Sequence, residues 1–240
     1  LMIVPTSEEI NYKKLPSNVV LPSQKEMIDY IYSKIKFNTV NVYDTINKNN
    51  DKYQMYYYLD HHWTTYAAYY AYLEYAKNND IQPLDITDFD VELVTKDFNG
   101  TLYSKTNDYS RNSDSIYVFN RKNNLKVEYV YEDKVTDTMY EYSYLDKKDK
   151  YSLFLDNNHP LIIITNNDII TNKEIIVIKD SYANSLIPFL VNHFKKVHVI
   201  DPRYYNLSIT SYLKENPNIK DGLIIYNANG LDDSSILGLE

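Results

Sequence analysis

Two short stretches carry residue types that could do nucleophilic chemistry. The first, Leu59-Asp60-His61-His62-Trp63, sets two of the chain's five histidines and its only tryptophan beside an aspartate. The second, Lys179-Asp180-Ser181, follows the apolar run at 174–178. A hydroxyl nucleophile needs a base, and the base needs a carboxylate to hold its ring. Asp60 and His62 are two positions apart. On a helix they would point to nearly opposite sides, whereas in an extended or turning segment they share a face. The helix that follows must therefore begin after Trp63, where Thr64 or Thr65 can cap it. Asp60 can then hold the His62 ring while the other ring nitrogen faces Ser181, and His61 points the other way.

Each stretch also has a plainer reading. Asp180, Ser181 or Asn184 can simply cap a helix. Residues 60–63 can form a satisfied polar turn with Trp63 in the core. Aspartate and histidine are also metal ligands, but His159, His193 and His198 add no ligand-like grouping. We expect no metal and no cofactor.

The elements that must position these residues alternate. The run 1–5 reads as a buried strand closed by Pro5, and 25–35 has helical apolar spacing at Met27, Ile28, Ile31 and Ile35. Residues 39–44 alternate like a strand, and 64–79 read as a helix. From 103 to 160 the texture changes to short aromatic and β-branched runs between Asn, Lys and Asp clusters. The runs at 115–120, 126–132, 138–145 and 151–155 predict antiparallel hairpins inserted into the domain. Residues 160–165 rejoin the main body. The last part predicts strands at 174–178, 196–200 and 222–226, with helices at 184–194 and 208–216. Pro188 is tolerable only near a helix's first turn. Apolar strands alternating with helices imply a parallel sheet covered on both faces. Reactive groups in such sheets gather at the carboxyl ends of the strands, where Ser181 falls. A serine on that strand-to-helix turn also has its own N–H near a helix start, where it can stabilise an oxyanion.

With 240 residues, 44% of them hydrophobic, the chain can bury a substantial core. A net charge of −8 lacks the basic face that a general nucleic-acid binder needs. The absence of cysteine removes disulfides, thiol catalysis and Cys-based zinc sites. No apolar run reaches the length of a membrane span. The chain opens at Leu1 directly into an internal-looking strand, so we expect an upstream segment that could hold a signal or membrane anchor. The 27 tyrosines can stack on sugars, but they accompany abundant Asn, Lys and Ile, as in an AT-rich genome.

The residues at 59–65 resemble the signature that names the DHHW protein family of Gram-positive bacteria. That family is similar to the SGNH-hydrolase-like domains of alginate O-acetyltransferases, which carry an Asp-x-His-Trp motif. The resemblance extends to residues 1–10, 97–106, 179–190 and 200–206, and so spans most of the chain. It implies one SGNH-like α/β domain over 1–240: a parallel sheet flanked by helices, with a β-rich insertion at about 103–160. It implies Ser181 as nucleophile, His62 as base and Asp60 as its orienting acid. Gly100 lies where a second oxyanion donor could come from, or in an ordinary turn. Arg203 can pair with substrate or with Asp201, and Asn227 can line the site or cap a loop. The sequence departs from the usual Gly-Asp-Ser pattern at Lys179, and it has no clear Gly-x-Asn block.

What the resemblance implies is an extracytoplasmic O-acetyltransferase acting on an exopolysaccharide or cell-wall glycan. Its partner would be a membrane-bound acyltransferase that supplies acetyl groups. The same residues also suit a carbohydrate acetylesterase. A non-catalytic glycan-binding or assembly protein is the third reading.

Overall fold

The β-branched run Glu174–Lys179 is buried along its whole length, and the rest of the fold is arranged around it. A computed structural model describes residues 1–106 and 110–232. In chain order it runs β1 (Met2–Val4), α1 (Ser7–Ile10), α2 (Gln24–Lys34), α3 (Tyr43–Asn49) and α4 (Thr65–Asn78). Next come β2 (Asp90–Phe98), α5 (Thr101–Thr106), β3 (Asp114–Asn120), β4 (Leu125–Tyr129), β5 (Lys134–Thr136) and β6 (Leu161–Asn166). The last part holds β7 (Glu174–Lys179), α6 (Ile187–Leu190), β8 (Lys196–Ile200), α7 (Ile209–Glu215) and β9 (Ile219–Asn227).

Seven strands form the main sheet in the order β1-β9-β7-β8-β6-β4-β5. The half from β1 to β8 is parallel. The half from β8 to β5 is antiparallel. β2 and β3 form a separate antiparallel pair. The architecture is thus the expected α/β sheet flanked by helices, with a small antiparallel sheet beside it. Its sheet is mixed rather than wholly parallel. Because β6 runs against β8, Leu161 pairs with Ile200. The segment entering β6 therefore reaches the same edge as the carboxyl ends of β7 and β8.

The apolar face of α4 buries Ala67, Ala68, Tyr69, Ala71, Tyr72, Tyr75 and Ala76. Tyr69 and Tyr72 meet Phe189 of α6 at ring-centroid distances of 5.6 and 5.5 Å. The large tyrosine content is thus partly core: Tyr56, Tyr57, Tyr72 and Tyr182 are each at most 2% exposed. Among the described residues no helix is long and apolar enough to cross a membrane.

Several predicted elements differ. Residues 39–44 form no strand. Val40 and Val42 are buried, and the Val40 N–H donates to the Leu1 carbonyl at 2.8 Å. The alternation there reports burial along a coil that runs into the first turn of α3, not ladder pairing. The runs 138–145 and 151–155 are largely 3-10 turns, at Tyr142–Asp146 and Lys150–Leu153. Their rings are satisfied by packing: Tyr140, Tyr151 and Phe154 cluster with Tyr57, Phe98, Ile116 and Val118. The helix expected over 184–194 is a 3-10 turn, Ser181–Ser185, followed by α6, whose first turn holds Pro188. By contrast β4 and β5 do form an antiparallel hairpin, but as strands of the main sheet beside β6 rather than as an insertion into it, and β3 pairs with β2, which lies before residue 103. Residues 161–166 do join the main sheet as β6.

Candidate active site

Trp63 fixes the first half of the site. Its ring is fully buried, its Nε1–H donates to the Tyr182 carbonyl at 2.8 Å, and it forms an isolated bridge with Tyr56. Thr64 has extended backbone and caps α4 through the Ala67 N–H. Residues 57–62 are therefore a turn, not helix, and Asp60 and His62 fall on one side of it. His62 Nδ1 lies 2.6 Å from Asp60 Oδ1, which also accepts the His62 main-chain N–H at 3.0 Å.

The second half is set by β7. Asp180 leaves the strand in extended conformation, and its Oδ1 accepts the Tyr182 N–H at 2.9 Å. Its Oδ2 accepts the main-chain N–H and the Nδ2–H of Asn227 at 2.7 and 2.6 Å. The turn after β7 is thereby tied to the end of β9, and Ser181 is presented at the carboxyl edge. Ser181 Oγ lies 2.8 Å from His62 Nε2, across 119 positions of sequence. Serine, histidine and aspartate form one continuous row.

Electrostatics set the direction of proton movement. Burial alone would raise the Asp60 carboxyl. The His62 hydrogen bond, the charges of His62 and His61 and the Thr101 N–H outweigh it and hold Asp60 well below the usual carboxylate range. An ionised Asp60 accepts, so His62 Nδ1 donates and Nε2 is left to accept the Ser181 proton. Burial, opposed by hydrogen bonds from Asn227 and Tyr182, pushes Asp180 up. His61 is held down to about 4, first by desolvation and then by the charge of His62.

The other sequence candidates have definite places. Gly100 abuts Asp60: a Cβ there would stand 2.2 Å from Asp60 Oδ2. The observed role of its missing side chain is this close approach. The next residue, Thr101, donates from its N–H and Oγ1 to Asp60 Oδ2 at 2.8 and 3.1 Å. Arg203 makes a two-pronged pair with Asp201, at 2.9 and 2.6 Å. The Asn227 side chain is engaged by Asp180 and by the Gly230 N–H. His61 is nearly half exposed and contacts Thr101 Oγ1 at 2.7 Å. Lys179 is completely buried between Asn158 Oδ1 at 2.8 Å and Asp201 Oδ2 at 3.2 Å.

Donor atoms of Asp60, His61 and His62 lie within 4.8 Å of one another. Each is committed elsewhere: Asp60 Oδ1 to His62, His62 Nε2 to Ser181, and His61 Nδ1 to Thr101. A cation held through these bonded atoms would have to break the row.

Sequence reasoning missed Thr101, Tyr182 and Tyr151. The Tyr182 hydroxyl donates to the His61 carbonyl. The Tyr151 ring stacks on His62, with centroids 3.7 Å apart and planes 9° from parallel. Nothing in spacing marks one tyrosine among 27. Thr101 was accessible in principle, as the hydroxyl beside a glycine already singled out.

The fold and site define a mixed α/β domain with a serine–histidine–aspartate row at the carboxyl edge of its sheet. The chain belongs to the DHHW protein family, whose model matches residues 1–200. A DHHW family protein from Eubacterium siraeum DSM 15702 shares the fold at a TM-score of 0.84 and 22% identity, covering 98% of this chain and 79% of that one. Bacillus cereus PatB1, solved with a sulfonyl adduct, superposes at 0.80 with 19% identity, covering 98% of this chain and 82% of that one. The O-acetyltransferase domain of Pseudomonas putida AlgJ gives 0.54 at 11% identity, over 96% of this chain and 74% of that one. No curated protein matches this chain in sequence.

Proposed function

We propose that the protein is an extracytoplasmic serine O-acetyltransferase that moves an acetyl group, through an acyl-serine, onto hydroxyls of an exopolysaccharide or cell-wall glycan. The observation that carries this reading is the unbroken row, with 2.8 Å from Ser181 Oγ to His62 Nε2 and 2.6 Å from His62 Nδ1 to Asp60 Oδ1. Two likenesses support it. The AlgJ domain, of the same fold, is an O-acetyltransferase. PatB1 was solved with a sulfonyl adduct. Sulfonyl electrophiles are captured by activated nucleophiles, and Ser181 is this chain's candidate for such capture.

His62 Nε2 takes the Ser181 proton as Oγ attacks the acetyl carbonyl. The imidazolium that forms is stabilised by ionised Asp60 and then returns its proton to the leaving oxygen. In the second half His62 deprotonates a sugar hydroxyl, which attacks the acyl-serine. The same proton then reaches Ser181 Oγ as the ester bond to serine breaks. The Ser181 N–H, at the start of its turn, is our candidate donor to the oxyanion. The acetyl group would be supplied by a membrane-bound acyltransferase, with this domain working at the surface of a Gram-positive cell.

Mass spectrometry of a glycan acceptor incubated with enzyme and p-nitrophenyl acetate tests the reading. Acetylated glycan that disappears with Ser181→Ala supports it. Free acetate alone, also dependent on Ser181, makes the protein an esterase. Failure of a fluorophosphonate probe to label Ser181 removes the nucleophile and leaves a glycan-binding or assembly role.

A further inference from the structure

The His62 ring is held on both sides. His61 lies against it with centroids 3.8 Å apart and planes tilted by 40°. Tyr151 covers it nearly face to face at 3.7 Å. Tyr151 also reaches the nucleophile's main chain: its hydroxyl lies 3.2 Å from the Ser181 carbonyl oxygen and 3.2 Å from Ser185 Oγ. Ser185 Oγ donates onward to the Tyr182 carbonyl, so the single phenol proton is shared between Ser185 Oγ and the Ser181 carbonyl. Burial pushes the Tyr151 phenol far above its ordinary range, so it stays a neutral donor. One side chain thus touches both the base and the turn that carries the nucleophile.

The chain around Tyr151 is held in place at some cost. Shortly after its 3-10 turn, three successive residues are left-handed: Leu155, Asp156 and Asn157, with φ of 58°, 54° and 81°. Non-glycine residues in that region are strained and persist only where surroundings over-determine them. Here they do. The Leu155 N–H donates to the Met139 carbonyl at 2.8 Å, and Asp156 pairs with Lys134 at 2.6 Å. Asn158 Oδ1 accepts from the buried Lys179 at 2.8 Å and from Asn184 at 3.2 Å. Lys179 and Asn184 flank Ser181 in sequence. The loop that follows Tyr151 is therefore pinned to the nucleophile's own turn.

Free rotation of the His62 ring about its Cβ–Cγ bond would break both hydrogen bonds of the row. Asp60 restrains one edge only. A flat ring stacked on one face restrains the plane itself, and an aromatic face also favours the imidazolium over neutral imidazole. We propose that Tyr151 is a positioning residue: its ring sets the plane of His62, and its hydroxyl holds the Ser181 main chain in register with that ring. This inference rests on the acyl-transfer reading of the site and names how the site is kept assembled between turnovers.

The test is the pre-steady-state burst of p-nitrophenol from p-nitrophenyl acetate, with Tyr151→Phe and Tyr151→Leu beside wild type. The burst rate should fall about threefold to tenfold in Tyr151→Phe, which keeps the ring and loses one hydrogen bond. It should fall about 100-fold in Tyr151→Leu, a loss in the acylation step rather than in donor KM. In proton NMR the His62 ring resonances of the wild type should be displaced upfield by the tyrosine ring current. Tyr151→Phe should retain that displacement, and Tyr151→Leu should lose it. A Tyr151→Leu burst within threefold of wild type would overturn the proposal, as would a Tyr151→Phe burst no faster than that of Tyr151→Leu. Wild-type His62 resonances without an upfield displacement would overturn it without any variant, even if Tyr151→Leu fails to fold. No burst in the wild type would instead remove the acyl-transfer reading itself.

Discussion

Among the described residues, two acid–imidazole–hydroxyl rows lie near opposite ends of the same strand. Asp60, His62 and Ser181 meet at the carboxyl end of β7. Glu174, at the amino end of β7, contacts His198 Nε2 at 3.1 Å, and His198 Nδ1 meets the Tyr212 hydroxyl at 2.7 Å. Listed as residue types the two resemble each other, yet chemically they differ. The second row ends in a phenol that burial pushes above its ordinary range, so it is no nucleophile near neutrality. Its imidazole is 1% exposed and held below its usual range by desolvation, with Glu174 opposing. It lies within the sheet, where β7 and β8 pair through Ile176 and His198. The first row ends in an aliphatic hydroxyl on a tight turn at the strand ends, where a substrate can arrive. Position at the sheet edge and the identity of the last oxygen separate a catalytic row from a structural one.

The largest expected effect follows directly. Ser181→Ala or His62→Ala should lower acyl transfer or ester hydrolysis by about 10³-fold or more, since members of one catalytic unit fail together. His198→Phe should leave turnover unchanged and lower stability by about 1–3 kcal/mol by removing the imidazole partner of Glu174 Oε2 and of the Tyr212 hydroxyl. Steady-state rates and thermal melts of both sets read the contrast. An activity loss in His198→Phe as deep as in His62→Ala would erase it.

Gly100→Ala should come next. The new Cβ overlaps the Asp60 side chain, so the carboxylate or the chain at Gly100 must move and the alignment of Asp60 with His62 is disturbed. We expect about 10- to 100-fold lower acylation with a smaller change in donor KM. Wild-type kinetics would mean that Asp60 tolerates displacement.

Asp60 also leaves a mark on stability. Its carboxyl is depressed in the folded state, so the unfolded chain binds more protons as pH falls. Its contribution is fully present above its unfolded value of about 4 and is lost as pH drops through the folded value. Asp60→Asn should flatten the stability-versus-pH curve in that acid range. Chemical denaturation at a series of pH values shows this, and an unchanged slope would contradict the ionised Asp60.

The smallest effect belongs to His61. Its ring sits beside the row but bonds Thr101, not Ser181. His61→Ala should cost only a few-fold in activity. Because His61 is held down to about 4, its stabilising contribution is present above its unfolded value of about 6.5 and is lost as pH falls through about 4. The variant should remove that part of the slope. A loss equal to that of His62→Ala would reverse the roles of the two histidines.

What could be read in the sequence follows from which physical signals are local. The two-residue spacing of Asp60 and His62 carries geometric information by itself, and the apolar centre of β7, Ile175 to Ile178, announces a buried strand with its edge at Ser181. The threonine after Trp63 marks the helix start by capping chemistry. Other features depended on contacts between distant segments. The alternation of 39–44 looked like a ladder because a coil with one buried face has the same period. The aromatic runs at 138–145 and 151–155 looked like strands, but their rings pack in a cluster while the backbone turns. The direction of β6, which makes the sheet mixed, is not encoded in its own composition. Tyr151 gains meaning only when the fold brings it to His62.

The central claim is tested most directly by peptide mass spectrometry after brief exposure to p-nitrophenyl acetate at low pH quench. The account predicts one acetyl group on the peptide containing Ser181, absent in His62→Ala and discharged when a glycan acceptor is added before the quench. An unmodified Ser181, or an acetyl group captured elsewhere at equal yield in both proteins, would contradict it.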